Sequence, residues 1–327
     1  MILSGKTTGD GLKSNLSILM KPQMKKALAI ITLLLTGAMG FASESTTPAV
    51  WQTDLLKWRS ERAARLQAPE GWLSLIGLEW LREGDNSVGS AADNRIQIAK
   101  APPHLAIVRL ESGKLHLFPP QGGFPKDLVV DGHTPQEQTL YADDGASPSK
   151  LKMGTLTIIL IHRDQRIALR IKDLEAPART EFHGLRWYAP DAKYRIHAKW
   201  IPYNPAKTLD IPTILGTVDK LPAPGAAEFT LDGKVFRLEP VLEDAGSKEL
   251  FFILRDETSK TTTYGAGRFL YSDLPDHGVS QPGGLWLDFN ELINPPCAFT
   301  PYATCPLPPP QNRLPIAIPA GEQRYHD

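Results

Sequence analysis

The chain has 327 residues, with 36 acidic and 36 basic side chains and 42% hydrophobic residues. This length and apolar content suffice for one or two packed domains. A net charge of zero gives no electrostatic reason to expect nucleic acid or an anionic membrane surface as a partner, and we expect neither.

The N-terminus has the features of a secretory signal peptide. Met24-Lys-Lys26 supplies a positive region, Ala27 to Leu35 an apolar stretch, and Gly40-Phe-Ala42 a small-x-small cleavage site. A membrane anchor is the alternative, but the apolar stretch is shorter than the roughly 20 residues that a span needs. We therefore predict a leader and signal peptide over 1–42, removed after Ala42. The protein is then periplasmic or secreted, with no membrane span after cleavage.

The next segment, 43–70, has the period of an amphipathic helix. Trp51, Leu55, Trp58 and Leu66 recur at helical spacing with charged residues between them, and Pro69 with Gly71 ends the pattern. We expect this helix to pack on the domain that follows. A helix that binds a partner protein is the alternative.

Residues 71–175 carry the pattern of a β-sandwich. Seven short apolar runs, separated by Gly, Pro and Asp turns, suggest strands of a sandwich domain. The runs are Trp72–Leu81, Ile96–Ile98, Leu105–Leu110, Leu115–Phe118, Leu128–Val130, Leu156–His162 and Ile167–Ile171.

Residues 176–327 resume the β pattern as a second β domain. Tyr194 to Ile201 alternates between apolar and polar residues, and Leu231-Asp-Gly-Lys-Val235 is the pattern of a tight hairpin. No helical period of ten residues occurs between 71 and 284, which argues against the parallel α/β classes. We therefore predict an all-β fold, mainly antiparallel, after one N-terminal helix.

The last part of this domain differs from the rest. Gly284 to Glu322 holds about a third of the prolines and both cysteines, which predicts a fixed, irregular segment. Cys297 and Cys305 are eight residues apart, and in an oxidising compartment they are expected to form a disulfide. A loop this short contributes somewhat less than the roughly 3 kcal/mol of a 15-residue loop. The bridge would mainly fix local shape.

Two resemblances to known families appear along the chain. Asn86 to Ile96, followed by Pro103-His104, resembles the start of a forkhead-associated (FHA) β-sandwich. Ser90 stands where that family has its phosphate-binding arginine, so the resemblance implies the sandwich and not phosphopeptide binding.

From Trp58 to Glu322 the order of segments is similar to a family of mostly exported bacterial proteins, the domain of unknown function 1684. The resemblance implies the fold neighbourhood and no activity. It is carried by Gly71-Trp-Leu73, Gly89-Ser90, Arg170, Lys172-Asp173, Phe182-His-Gly-Leu185, Phe252, Asp256, Thr258, Thr263-Tyr264, Gly267-Arg-Phe-Leu270, Leu287-Asp-Phe-Asn290, Asn294-Pro-Pro-Cys297, Cys305-Pro-Leu-Pro-Pro309, Asn312-Arg-Leu-Pro315 and Ala320-Gly-Glu322.

Polar residues in the C-terminal stretch suggest a ligand pocket. Convergent side-chain oxygens, an arginine as an anion clamp and a tyrosine hydroxyl are the groups that fix a small ligand. The candidates are Tyr264, Arg268, Asp288, Asn290, Asn294 and Asn312. The sequence thus favours a protein that binds a small or polymeric ligand of the cell envelope.

Each of these residues also has a simpler interpretation, and other functions stay open. Asp288-Phe-Asn-Glu291 has the spacing of a capping box and predicts a short helix over 289–293. A hydrolase with Asp288 or Asp256 as base is one alternative, including a pair of carboxylates that involves Glu322. A structural envelope component is another. We find no spacing typical of a zinc or calcium site, and we expect neither metal nor cofactor.

Overall fold

The computed structural model describes residues 48–144, 147–244 and 246–326. The predicted leader and its cleavage site at Ala42 lie outside these residues. A helix, α1 (Pro48–Gln67), comes first, as the apolar period predicts. Among the described residues no helix combines the length and the apolar character that crossing a bilayer requires.

The N-terminal β unit follows α1 and has two five-stranded sheets with one core. The sheet orders are β1-β10-β9-β8-β6 and β3-β2-β4-β5-β7. The strands are β1 (Leu75–Trp80), β2 (Gly84–Gly89), β3 (Ile96–Gln97), β4 (Ala106–Glu111), β5 (Lys114–Phe118), β6 (Val129–Val130), β7 (Gln138–Leu140), β8 (Lys150–Met153), β9 (Leu156–Arg163) and β10 (Arg166–Asp173).

The pattern of apolar residues in the sequence did not predict three strands of this unit. Strands β2, β7 and β8 are short and mostly polar, and each buries only one to three residues. They are held by pairing with apolar neighbours, since β2 pairs with β4, β7 with β5 and β8 with β9. The partners of β2 and β7 lie about 20 residues away in sequence, whereas β8 forms a hairpin with the apolar strand β9 that follows it directly.

The C-terminal β unit has a four-stranded sheet, β13-β12-β11-β16, and a two-stranded sheet, β14-β15. Among the named strands only β2 and β3 pair in parallel, so the predicted antiparallel β class is confirmed. After a one-turn helix, α2 (Pro177–Thr180), the strands are β11 (Arg195–Pro212), β12 (Val218–Leu231), β13 (Lys234–Leu238), β14 (Glu249–Leu254), β15 (Arg268–Asp273) and β16 (Gly283–Asp288).

The predicted hairpin joins β12 to β13. Asp232 and Gly233 both have positive φ, 51° and 74°, as a two-residue primed turn requires. The apolar stretch 209–218 spans the end of β11, a turn and the first residue of β12. Its apolar residues belong to two strands.

The segment after β16 is irregular, as expected, and contains only short 3-10 turns. One of them, Phe289–Glu291, replaces the predicted helix over 289–293, and the Asp288 side chain caps it by accepting from the backbone N–H of Asn290. The start of the predicted irregular stretch is a regular strand instead, since Gly284 to Asp288 pair with β11.

Helix α1 docks mainly on the C-terminal unit and not on the unit that follows it in sequence. Arg59 donates to the carbonyls of Tyr188 and Asn290, and Arg62 donates to Asn294 and Glu322. Both arginines are buried, although the helical pattern placed them on its polar side. The correction has a physical reason: guanidinium groups can lie on a docking face when carbonyl and carboxylate oxygens accept from them.

Candidate functional site

Four of the six predicted ligand-binding residues lie inside the C-terminal unit. Arg268 is 1% exposed, and Asn290, Asn294 and Asn312 are equally buried. Their neighbours decide what their polar groups can do.

Arg268, the predicted anion clamp, is held by acceptors from the protein itself. One terminal nitrogen donates to Asp256 Oδ2 at 2.7 Å and to the carbonyl of Ile318 at 3.0 Å. The other donates to the carbonyls of Ala320 and Glu322. The guanidinium therefore ties the last segment of the chain to β15 and neutralises a buried carboxylate.

A second buried ion pair joins this segment to helix α1. Glu322 is fully buried and accepts from Arg62 Nε at 3.1 Å and from the backbone N–H of Asn294 at 2.7 Å. Burial raises the pKa of this carboxyl, and the charges of Arg62 and Arg268 oppose the change. The pair shows that α1 is part of the C-terminal unit.

The three buried asparagines hold separate loops. Asn290 exchanges hydrogen bonds with the backbone of Asp191, and its amide also donates to Asp288. Asn294 donates to the carbonyl of Gln323. Asn312 lies elsewhere and bridges the ends of two strands through Glu239 and Ile253. The structure thus brings Asn290 to Asp288 and does not bring Asn312 to either. Their ligand-binding role stays a prediction.

The two candidate bases differ in access. Asp256 is buried, caps the turn at Thr258 and pairs with Arg268. Asp288 lies at the end of β16, near the surface, where Oδ2 accepts from the indole N–H of Trp51 at 2.6 Å. Arg195 Nε lies 3.8 Å from the same oxygen. Of the two, only Asp288 is close to solvent.

Tyr264 lies with both cysteines at a small pocket. The cavity holds about 10 Å³, the volume of a single water molecule, and is lined by Tyr264, Ala266, Gly267, Phe269, Pro295, Cys297, Cys305 and Pro308 among others. Gly267 permits this packing, because it has φ of +117° and a Cβ there would lie 2.5 Å from Pro308 Cγ. A narrow cleft therefore lies in the part of the C-terminal unit for which a ligand pocket was predicted.

The two thiols of this cleft interact directly. Both sulfurs are unbonded, and the backbone N–H of Cys297 donates to Cys305 Sγ at 3.1 Å. The Cys305 thiol also donates to the Cys297 sulfur, which lowers the pKa of Cys297 and raises that of Cys305. The predicted disulfide stays a prediction, with the two residues placed side by side.

A polar surface with an exposed tryptophan lies on the outer side of the four-stranded sheet. Trp286 is 42% exposed between two buried leucines, Leu285 and Leu287. The Arg195 guanidinium lies 4.4 Å from its ring centre, and the His197 ring lies 5.0 Å away at 66°. We call Arg195, His197, Trp286 and Asp288 the Trp286 face. Of these four residues only Asp288 is among the predicted ligand-binding residues, although the alternation of buried Leu285 and Leu287 around exposed Trp286 is a pattern typical of a strand with one exposed side.

The described part of the chain has no group of three or more His, Cys, Asp or Glu side chains that could hold a metal ion. Its titratable groups are distributed over caps and ion pairs. The site candidates are therefore the Trp286 face and the thiol cleft.

Comparison with known proteins gives a family for the C-terminal unit. Residues 180–323 match the model of the family described as "Protein of unknown function (DUF1684)", which supports the resemblance seen in the sequence. Among curated proteins, none matches the chain. Among solved structures, the chain is similar to the solution NMR structure of an uncharacterized protein of Haloarcula marismortui, with 30% sequence identity and a TM-score of 0.38. The similarity covers 45% of this chain and 79% of that chain.

Proposed function

We propose that the protein binds a polymeric saccharide ligand of the cell envelope through the Trp286 face. The observation that carries the proposal is the exposed ring of Trp286, flanked by Arg195 and His197 on an open sheet. Tryptophan is enriched at binding interfaces because its large apolar ring carries one hydrogen-bond donor.

The chemistry of this face suits a sugar chain that carries acidic groups. An aromatic ring offers a flat apolar surface, and the faces of sugar rings that carry C–H groups are apolar as well, whereas the ring edges carry hydroxyl groups. Arg195 and His197 supply donors beside it, and Lys199, exposed on the same side of β11, adds a cation. Tryptophan and arginine are the residue types that most often dominate binding energy at interfaces.

Two of the predicted ligand-binding residues fit this proposal as supports. Asp288 ends the strand that carries Trp286, and Asn290 donates to Asp288 Oδ1 at 2.9 Å. The Trp51 indole closes the same end of the face. The remaining predicted residues then act by holding the sheet and the irregular segment together.

Binding to insoluble peptidoglycan tests the proposal. We expect the full chain to co-sediment with it, and Trp286→Ala to weaken retention at least about tenfold, which corresponds to about 1.4 kcal/mol. Arg195→Ala should weaken it less. Tyr141→Ala is the matched control, because Tyr141 is 55% exposed but lies in the N-terminal unit. Retention of Trp286→Ala equal to that of wild type, with unchanged circular dichroism, would overturn the assignment.

Hydrolysis by Asp256 or Asp288 has less support from the geometry. Both oxygens of Asp256 are occupied, by Arg268 on one side and by Thr258 and Ile318 on the other. A base needs an oxygen within reach of a substrate proton. Asp288 is the better placed of the two, and Asp288→Asn would separate binding from turnover in the same assay.

Three finer expectations belong to the same proposal. The protein is exported, because Met24 to Ala42 has the pattern of a signal peptide. Cys297 and Cys305 are joined in the oxidising compartment, which their adjacent sulfurs allow. The N-terminal unit has an FHA-like arrangement, which its two five-stranded sheets are compatible with. Thiol counting on denatured, unreduced protein from the exporting cell tests the second of these.

A further inference from the structure

The thiol cleft lies against the N-terminal unit. Thr300, inside the loop between the cysteines, donates to the carbonyl of Leu75 at 3.2 Å. Arg163 at the end of β9 lies 3.3 Å from Thr304 Oγ1. The loop that the two cysteines would close is therefore packed on the sheet that contains β1, β9 and β10.

Arg170 reaches this contact from the middle of β10. It pairs with Leu78 of β1 and Ile159 of β9, so its side chain leaves the sheet on the side opposite the sandwich core. Its guanidinium lies 5.2 Å from the ring centre of Trp72. Its electrostatic neighbours include Arg163, Asp143 and Cys305. Trp72 packs against the apolar cluster that contains Cys305 and Cys297, so the cation lies over a side chain that contacts the same cluster as the cysteine pair.

The guanidinium of Arg170 has no partner in the described part of the chain. No carboxylate there lies within ion-pair distance, no acceptor takes its N–H groups, and its Nε is buried without a hydrogen bond. Burial lowers the pKa of Arg170 to about 10, and the charge of Arg163 lowers it further. A desolvated cation with no carboxylate in ion-pair contact is costly, so an anion beside it would relieve that cost.

The cysteine pair can become an anion near Arg170, because the charge of Arg170 opposes the rise in the pKa of Cys305 and Cys305 shares a hydrogen bond with Cys297. One proton shared between two adjacent sulfurs leaves a thiolate hydrogen-bonded to a thiol. Cys297 is the more exposed sulfur and lines the narrow cleft beside Tyr264, whereas Cys305 is buried. Reactive cysteines are typically found in this setting, partly exposed and next to a cation.

We propose that Cys297 and Cys305 form a redox-active dithiol that exchanges with small-molecule disulfides, with Arg170 as the residue that stabilises its thiolate. In the first step the Cys297 thiolate attacks one sulfur of the disulfide, and a mixed disulfide forms as one thiolate leaves. In the second, Cys305 loses its proton and attacks Cys297 Sγ, and the second thiolate leaves. The protein is oxidised by two electrons, and the small disulfide is reduced to two thiols, which take up the proton of Cys305 and one proton from solvent, the one that the pair released when it ionised.

This inference gives the disulfide of the proposed function a reversible role, and it is independent of the Trp286 face. Titratable groups other than Arg170 also face the sulfurs. The hydroxyls of Tyr264 and Tyr271 have raised pKa values because they are buried, so they are neutral near pH 7. Arg163 is paired with Asp143 at 2.8 Å. Arg170 is therefore the charge that a variant can remove cleanly.

Alkylation kinetics test the role of Arg170. Reduced full-length protein is treated with iodoacetamide from pH 5 to 10, and the rate is followed by mass spectrometry. We expect Arg170→Met to raise the apparent pKa of the reaction by at least about one unit, so that the rate at neutral pH falls about tenfold. The matched control is Arg166→Met, since Arg166 is on the same strand, with its guanidinium 4.0 Å from the Trp80 ring centre.

Arg166→Met should give the wild-type profile. Equal profiles for wild type and Arg170→Met would overturn the assignment of Arg170. Circular dichroism of each variant separates this result from a loss of fold.

Equilibration with glutathione tests the exchange itself. Protein is incubated at several ratios of reduced to oxidised glutathione, quenched, and assayed for the fraction with two free thiols. We expect that fraction to pass from low to high within the series, and Arg170→Met to shift it toward the disulfide, because a stabilised thiolate favours the reduced form. A pair that stays fully oxidised, or fully reduced, at every ratio would show an inert pair and overturn the proposal.

Discussion

The surroundings of Arg268 and of Arg170 make an instructive comparison. Each arginine belongs to a β-strand, is largely buried and lies next to the irregular C-terminal segment. Arg268 donates to a carboxylate and three carbonyls, whereas Arg170 has an aromatic ring beside it and no acceptor among the described residues. Burial alone thus says little about the role of a cation.

Hydrogen-bond and ion-pair partners distinguish a charge that holds the fold together from a charge that can act on a ligand or a neighbouring ionisable group. A guanidinium whose terminal nitrogens are saturated by the protein has little left to offer a ligand. The electrostatic field of a guanidinium without partners is not neutralised by the protein. At a site of low dielectric constant that field acts strongly on a neighbouring ionisable group. The four predictions that follow test this difference, beginning with the largest effect.

Breaking the saturated site should be the most damaging change. Arg268→Met leaves Asp256 buried without its counter-charge and frees the carbonyls of Ile318 and Ala320. We expect a loss of about 3–5 kcal/mol in the free energy of unfolding. Urea denaturation measures it, with Arg195→Met as the control for a half-buried arginine. A loss below about 1 kcal/mol would mean that the network is not structural.

The second prediction concerns pH and the neighbour of Arg170. Burial, and then the charge of Arg170, lower the pKa of Lys172 from 10.5 to about 8. Since the folded protein holds this proton less tightly than the unfolded chain, Lys172 destabilises the fold increasingly as the pH falls from about 10.5 to about 8. Below that range its contribution no longer changes.

Lys172→Met should abolish this dependence. We expect the difference in unfolding free energy between variant and wild type to change by roughly 1–3 kcal/mol between the two ends of the range. Urea denaturation at both pH values measures it, with Lys152→Met as the control on the next strand but one. A difference that is independent of pH would contradict the burial of this ammonium group.

Removing one hydrogen bond between α1 and the C-terminal unit should have a smaller effect. Trp51→Phe keeps an aromatic ring at this position but loses the indole N–H that donates to Asp288 Oδ2. We expect a loss of about 1 kcal/mol in the free energy of unfolding. Trp58→Phe is the matched control, because the Trp58 ring packs on Trp187 and its indole donates no hydrogen bond within the described part of the chain. Equal losses for the two would argue against a specific role of the bond.

The smallest effect is expected at the unpaired arginine. Arg170→Met removes a desolvated charge and keeps an apolar stem over Trp72. We expect the unfolding free energy to change by less than about 1 kcal/mol, and a gain would be in keeping with the relief of an unpaired charge. Thermal unfolding of the reduced protein measures it. A loss as large as that of Arg268→Met would show that Arg170 has structural partners after all.

Much of the fold could be predicted from local patterns in the sequence. The period of α1, the Asp232-Gly233 hairpin and the longer apolar strands such as β9 each depend on neighbours in sequence. Strands β2 and β8 could not be read, because their residues are polar and only pairing holds them.

Only parts of the two candidate sites could be predicted from the sequence. Tyr264 and the cysteines do meet, and Asp288 caps the turn that its spacing indicates. The side-chain environment of Arg268 could not be predicted, since its three carbonyl acceptors lie 50 to 54 residues further along the chain. The exposure of Trp286 depended on which side of its sheet faces the core.

The sequence by itself determined the secondary-structure class, the helix at the start, the irregular segment at the end and the family resemblance of the C-terminal unit. These follow from periodicity, turn residues and composition, which act over a few residues at a time. Only the tertiary structure decided which arginine is paired, which tryptophan is exposed and what lies beside the thiols. Such properties depend on acceptors and charges brought together from distant parts of the chain, and no local pattern encodes that proximity.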